Sequence, residues 1–190
     1  VLKDRLYTTA PKSLARRSAQ TALYQITHAM LRWMAPFLSF TAEEAWKVFG
    51  KSETIFVEKF WDFGATEAAL LDKWDRIRAA REVVNKEIEA LRADGKVGAS
   101  LQAEVTVTAS GELLEALRSL GEDLKFVFIT SAATLAEGEA LAASVTPSSH
   151  AKCERCWHYR EDVGQDAAHP TICGRCTSNL HGTGENRVCA

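Results

Sequence analysis

Four cysteines constrain this chain more than anything else in it. Cys153 and Cys156 form one C-x2-C pair, Cys173 and Cys176 a second, with sixteen residues between the pairs. Two such turns can place four thiolates around one tetrahedral Zn²⁺, and the intervening segment is long enough to return the chain with the second pair. The competing readings are two disulfides or four unrelated buried thiols. A fifth cysteine, Cys189, would be left over from a disulfide set. No signal peptide opens the chain and no apolar run approaches eighteen residues, so the expectation is a reducing, cytoplasmic setting in which clustered cysteines serve metals. Four sulfurs leave no open coordination position, so the predicted zinc is structural rather than catalytic. His150, His158, His169 and His181 lie nearby but off the cysteine spacing, and are expected at the surface or in support of the site.

Charge is the second constraint. The formal net charge of −2 excludes a uniformly basic nucleic-acid binder. Residues 1–36 nevertheless hold six Lys/Arg against one acid, Asp4, whereas residues 65–149 hold nine basic against fourteen acidic residues. That asymmetry fits a chain presenting one basic surface to a polyanion, and equally a solvated helix face. The chain starts Val-Leu-Lys inside what reads as a helix, as though taken from something larger.

Residues 14–35 read as a long helix, with Leu23, Ile26, Met30, Trp33 and Phe37 as one buried stripe. Thr41 and Glu44 read as a capping box opening a short helix that Gly50 closes, and Trp33, Phe37 and Trp46 are expected in the core. Residues 54–57 read as a short strand or an extended tie, and residues 62–66 as a linker. Residues 70–93 form a second long helix, with Leu70, Ile77, Val84 and Leu91 at heptad spacing and Trp74 and Ile88 between them, closed by Gly95. Alternation at Leu101, Ala103, Val105 and Val107 predicts a strand. Ser110 is expected to cap a helix bearing Leu113, Leu114, Leu117 and Leu120; residues 126–129 read as a strand and residues 141–146 as another. Residues 146–149 read as a linker.

The fold class expected is mixed and mainly α: a partial helical bundle over 1–64, a small α/β unit over 65–146, and a zinc-ribbon-like four-cysteine element over 147–190. No Gly-rich phosphate loop occurs, and no His or Cys stands between Gly50 and Ser149, so no catalytic residue is assigned.

The segment WMAPFLSFTAEEAW (33–46), with KDRLY (3–7) and RRSAQTALY (16–24), resembles the anticodon-binding bundle of class I aminoacyl-tRNA synthetases. Residues 81–105 resemble the segment that follows this bundle in isoleucyl-tRNA synthetases. Residues 150–190, with Arg155, Trp157, Arg175, Asn179 and the ending Gly182, Gly184, Arg187, resemble the C-terminal zinc element of the bacterial members. Val188 and Cys189 stand where that family often carries basic residues. The His-Ile-Gly-His and Lys-Met-Ser-Lys-Ser signatures of class I catalysis are absent. The resemblance implies a monomeric, membrane-independent, anticodon-side part of an isoleucine-specific ligase. It implies one structural Zn²⁺, tRNA(Ile) and the upstream catalytic and editing domains of the parent chain as partners, and ATP used only in the catalytic core. The contact residues it implies are Lys12, Arg16, Arg17 and Arg32, with Arg155, Trp157, Arg160 and Arg175 around the zinc. The zinc element also resembles the finger of formamidopyrimidine-type DNA glycosylases, but their N-terminal proline nucleophile is missing; a stand-alone zinc module for protein contacts is the third reading.

Overall fold

The computed structural model describes residues 1–50, 53–187 and 189, so the expectation attached to Val188 lies outside the described residues. The fold is mixed and mainly α. Contacts divide it into two compact units: Arg17–Thr66, and a discontinuous unit made of Val1–Arg16 with Glu67–Ala190. Residues 1–16 therefore group with the later part of the chain rather than with the segment 17–64.

Helix α1 spans Leu2–Tyr7 and α2 spans Leu14–Met34. Ser13 opens α2, its hydroxyl accepting the Arg16 N–H at 3.2 Å. In the unit Arg17–Thr66, α2 packs on α3 (Ser39–Val48) through Leu31, Ala35, Ala42, Trp46 and Ile55. The predicted stripe is not that core. Ile26, Met30, Trp33 and Phe37 are 44–72% exposed, because α3 covers the face carrying Leu31 and Ala35 instead. Of the three expected core aromatics only Trp46 is buried, its Nε1 donating to the Glu53 carbonyl at 3.1 Å.

The capping box is likewise absent. Helix α3 starts at Ser39, two residues before Thr41, and no side chain caps it. The acid that matters is Glu43, whose carboxylate accepts from the Ile55 amide (2.9 Å) and the Thr54 hydroxyl (3.0 Å). Those bonds hold its carboxyl below the usual range, the Ile55 amide first. They fasten a 3₁₀ turn, Ile55–Val57, where a strand or an extended tie had been expected. Gly50, at φ 84°, closes α3 as anticipated.

In the other unit, α4 (Ala68–Ala93) buries Ile77, Ala80, Val84 and Ile88. It ends in a Schellman arrangement, with Gly95 at φ 71° and the Lys96 N–H donating to the Leu91 carbonyl at 2.9 Å. Strand β1 (Ala103–Ala109) is central: β2 (Ala132–Glu137) pairs parallel on one side and β3 (Ala142–Pro147) antiparallel on the other. Helix α5 (Gly111–Arg118) follows β1, with Ser110 at its N-cap position but its hydroxyl turned to the Glu139 carbonyl.

The expected strand at 126–129 is a helix, α6 (Leu124–Phe128), ending on left-handed Ile129. A short, unbroken apolar run has no periodicity to separate strand from helix. The connection decides here, since β2 must return parallel to β1 and needs a crossover. Strand β2 itself had no sequence signal, being rich in alanine.

Residues 146–149 do not form a free linker either. Pro147 ends β3, and Ser148 is pinned by its amide to the Gln102 carbonyl (2.7 Å) and its hydroxyl to Glu104 (2.6 Å). A two-strand ribbon follows, β4 (Ala151–Lys152) with β5 (Tyr159–Arg160), then α7 (Gly174–His181). The Tyr159 amide donates to Ser131 Oγ at 2.6 Å, joining this element to the α/β part. Among the described residues no helix is long and apolar enough to cross a membrane.

Candidate metal centre

Each C-x2-C turn is built by backbone bonds near its first cysteine. In the first, the Cys153 amide donates to the His158 carbonyl and the Trp157 amide to the Cys153 carbonyl, both at 2.9 Å. Trp157 takes a left-handed conformation, φ 65°, to close that turn. In the second, Cys173 occupies the N-cap of α7 and its carbonyl accepts the Thr177 N–H at 3.0 Å. The Glu154 amide reaches the Thr171 carbonyl at 3.1 Å, which holds the two turns together.

The four sulfurs are buried and lie within 4.8 Å of one another, Cys153 to Cys176 at 3.7 Å and Cys156 to Cys173 at 3.8 Å. Tetrahedral Zn–S bonds of about 2.3 Å would separate sulfurs by about 3.8 Å, whereas a disulfide needs about 2.05 Å. All four are free thiols, so the donor set fits Zn²⁺ and not a pair of disulfides. Hydrogen bonds from Cys156 and Cys176 pull the Cys173 thiol well below its ordinary range, and the bond to Cys173 pushes Cys156 above it.

No histidine joins the sulfurs among the described residues. His158 is buried beneath the first turn with Nδ1 3.2 Å from the Cys156 carbonyl, and burial lowers its pKa to about 4, leaving a neutral ring. His169 and His181 stack on each other, ring centroids 4.2 Å apart.

The arginines predicted to meet tRNA around the zinc are engaged within the chain. Arg155 donates to the Thr8 carbonyl (2.8 Å) and the Tyr7 carbonyl (3.1 Å), and lies 3.6 Å from Cys176 Sγ. Arg175 binds Asp4 in a two-pronged contact (3.1 and 2.7 Å) and Glu185 in another (both 2.8 Å), its side chain only 8% exposed. Arg160 forks onto Asp162 at 2.9 and 3.2 Å. Trp157 stays 61% exposed, with Lys152 Nζ 5.5 Å from its ring. Lys12 and Arg17 are exposed and Arg16 half-buried. Arg32 is paired with Glu58 and lies over Trp46 and Trp61.

Asp4 and Glu185 are what sequence reasoning missed, along with the role of Arg187. Burial by itself would raise the Asp4 carboxyl. Hydrogen bonds from Arg175 and the charges of Arg175 and Arg187 outweigh that and hold it below the usual carboxylate range. Arg175 and Arg187 also flank the Phe126 ring, at 4.7 and 3.6 Å. A signal did exist: Asp4 is the single acid among six basic residues in the first thirty-six.

The model of the family described as "Anticodon-binding domain of tRNA ligase" matches residues 1–107, more than half of the chain. The chain belongs to that family. A second model, "Zinc finger found in FPG and IleRS", matches residues 152–179 and so covers all four cysteines. The finger alone is common to a glycosylase family and a ligase family; the anticodon-binding match is what separates them. Together the finger and the sulfur cluster identify one structural zinc site.

Curated relatives align along all or nearly all of the chain. The isoleucine–tRNA ligase of Ralstonia pickettii is 61% identical across all of this chain and 21% of its own length. That of Paraburkholderia xenovorans is 60% identical with the same coverage. That of Cupriavidus taiwanensis is 58% identical over 98% of this chain and 20% of its own length. The chain thus spans about a fifth of the length of these relatives.

Proposed function

We propose that this chain is the anticodon-side, tRNA-binding part of an isoleucine–tRNA ligase. In this reading it acts as a cytoplasmic monomer, and Cys153, Cys156, Cys173 and Cys176 hold its zinc. The observation that carries the reading is the anticodon-binding match and the four-sulfur finger on one chain. Its part in the reaction is positional. Lys12, Arg16 and Arg17 dock tRNA(Ile) by its phosphates, so that the acceptor end meets a catalytic centre elsewhere in the parent protein, where ATP is used. Trp157 offers an exposed aromatic face for an unstacked base. Arg175 is assigned an internal structural role, because both edges of its guanidinium are taken by Asp4 and Glu185.

Neutralising phosphates releases counterions, so binding must weaken as salt rises. Fluorescence anisotropy with labelled tRNA(Ile), across a salt series, tests this. The double substitution Arg16→Ala, Arg17→Ala is expected to weaken binding and flatten the log–log slope by up to about 2, at about 0.9 per phosphate lost. A slope unchanged in the double variant would move the contact away from α2. Isoleucine-dependent ATP–pyrophosphate exchange by the 190-residue chain would refute the purely positional role.

A further inference from the structure

The two metal turns share a feature that zinc binding does not require. Each places an arginine immediately before its second cysteine, Arg155 in Cys-Glu-Arg-Cys and Arg175 in Cys-Gly-Arg-Cys. Both arginines turn toward the same short segment. Arg155 donates to the last carbonyls of α1, on Tyr7 and Thr8, the end of a helix where a cation is favoured. Arg175 grips Asp4 on α1, and Arg187 reaches the same carboxylate. One turn of α7 beyond Cys176, buried Asn179 accepts the Ala10 amide at 3.2 Å and the Glu185 amide at 3.0 Å through Oδ1, and donates to Glu185 at 3.1 Å.

Apolar packing does not explain how this segment is held. No residue of α1 is buried, yet Thr8 and Thr9 just after it are 4% and 1% exposed. The polar contacts run on without a break. Thr9 Oγ1 donates to the Arg5 carbonyl at 2.6 Å, Ser13 Oγ to Thr9 Oγ1 at 3.2 Å, and the Arg16 amide to Ser13 Oγ at 3.2 Å. The Ser13 amide meets the Ala10 carbonyl at 3.0 Å. On the other side, Gly184 at φ 81° lets the tail approach: an added Cβ there would stand 3.0 Å from Ala10 Cβ.

We propose that the zinc element is a metal-set clamp on residues 4–16. Bound metal fixes α7 and the two turns, and through Arg155, Arg175 and Asn179 it sets the Thr8–Ser13 bend and the first turn of α2. The zinc therefore governs how Lys12 and Arg16 are presented, although neither residue belongs to the sulfur cluster. The clamp itself rests on the sulfur cluster and the contacts around it; only its consequence for Lys12 and Arg16 rests on the tRNA-binding reading.

Amide hydrogen exchange tests it without RNA. In the zinc-loaded chain the Ala10 and Thr8 amides, bonded to Asn179 and to the Asp4 carbonyl, are expected to be protected. Chelation should accelerate both at least tenfold while Val105 and Val107 in β1 change less than twofold. With zinc still bound at one per chain, Asn179→Ala should accelerate Ala10 at least tenfold, and chelation of that variant should add less than twofold more. Arg155→Gln is the second variant, read at Thr8, should Asn179→Ala fail to retain metal. Ala10 protection indifferent to chelation would overturn the clamp. So would acceleration of β1 in step with Ala10, which would make metal loss a global unfolding.

Discussion

Helices α2 and α4 look alike as sequence and differ in what the molecule does with them. Both carry large apolar residues at spacings of three, four and seven. In α4 the middle of that pattern is the core: Ile77 and Val84 are fully buried and Ile88 is 1% exposed, against the sheet and α5, while Leu70 in the first turn is 46% exposed and Leu91 near the end is half-buried. In α2 the corresponding residues Ile26, Met30 and Trp33 are 44%, 50% and 47% exposed, and the contacts buried against α3 come from Leu31 and from Ala35 just past the helix end. Periodicity specifies a face that is apolar. Whether that face is covered depends on what the rest of the chain brings to it, which period alone does not encode.

The sharpest way to break this comparison is a charge. Val84→Asp places a carboxylate in the sheet-facing core and is expected to cost more than about 4 kcal/mol, abolishing a cooperative transition of that unit. Trp33→Asp in α2 should cost less than about 1 kcal/mol, as exposed substitutions do. Chemical denaturation followed by far-UV circular dichroism reads both, and equal losses would mean that the α2 stripe is buried in solution.

A milder version removes volume only. Ile88→Ala should destabilise by about 2–5 kcal/mol through lost transfer energy and the cavity left behind, whereas Met30→Ala should stay within about 1 kcal/mol. Denaturation midpoints at unchanged slope are the measurement. A Met30→Ala loss matching that of Ile88→Ala would erase the distinction.

The smallest effect separates apolar from polar covering. Helix α1 buries no side chain and is held by charges, so Asp4→Asn should cost about 2 kcal/mol at neutral pH, within the range for hydrogen bonds to charged groups. The Asp4 carboxyl is depressed in the folded state, so its contribution is complete above the ordinary carboxylate pKa of about 3.9. It disappears as pH falls through the depressed folded value. The gap between native and variant midpoints should therefore close in acid. A gap that persists with Asp4 protonated would assign the loss to something other than its charge.

The zinc site was legible because ligand chemistry is written in residue type and spacing: four cysteines at two-residue gaps leave few geometric choices. Helix α4 and strand β1 were legible because their apolar faces are covered by neighbours within the same unit. The misreadings share a cause. Thr41 looked like a cap, but α3 starts earlier, and the useful carboxylate is Glu43 reaching for Ile55. Residues 126–129 looked like a strand because a short, wholly apolar run shows no period, and the need to bring β2 back beside β1 made it a helix. Arg155 and Arg175 were recognisable as charges near a metal, but their partners, Thr8 and Asp4, lie 147 and 171 positions away. Distance along the chain hides such pairs from any local pattern.

That separation has a consequence in time. The unit containing the metal is interrupted: residues 1–16 belong to it, yet 17–66 form a contiguous unit of their own, free to fold as they are made. Asp4 cannot meet Arg175 until 171 further residues have been added. At about 5–20 residues per second of synthesis, that is a wait on the order of 10–30 s. Throughout that interval, the stretch bearing Lys12 and Arg16 is nascent chain without its closing partner. Closure of the stretch bearing Lys12 and Arg16 then coincides with arrival of the last cysteine of the cluster, Cys176. Ordering of residues 4–16 is thereby tied to metal supply after Cys176 has been made rather than when those residues themselves emerge.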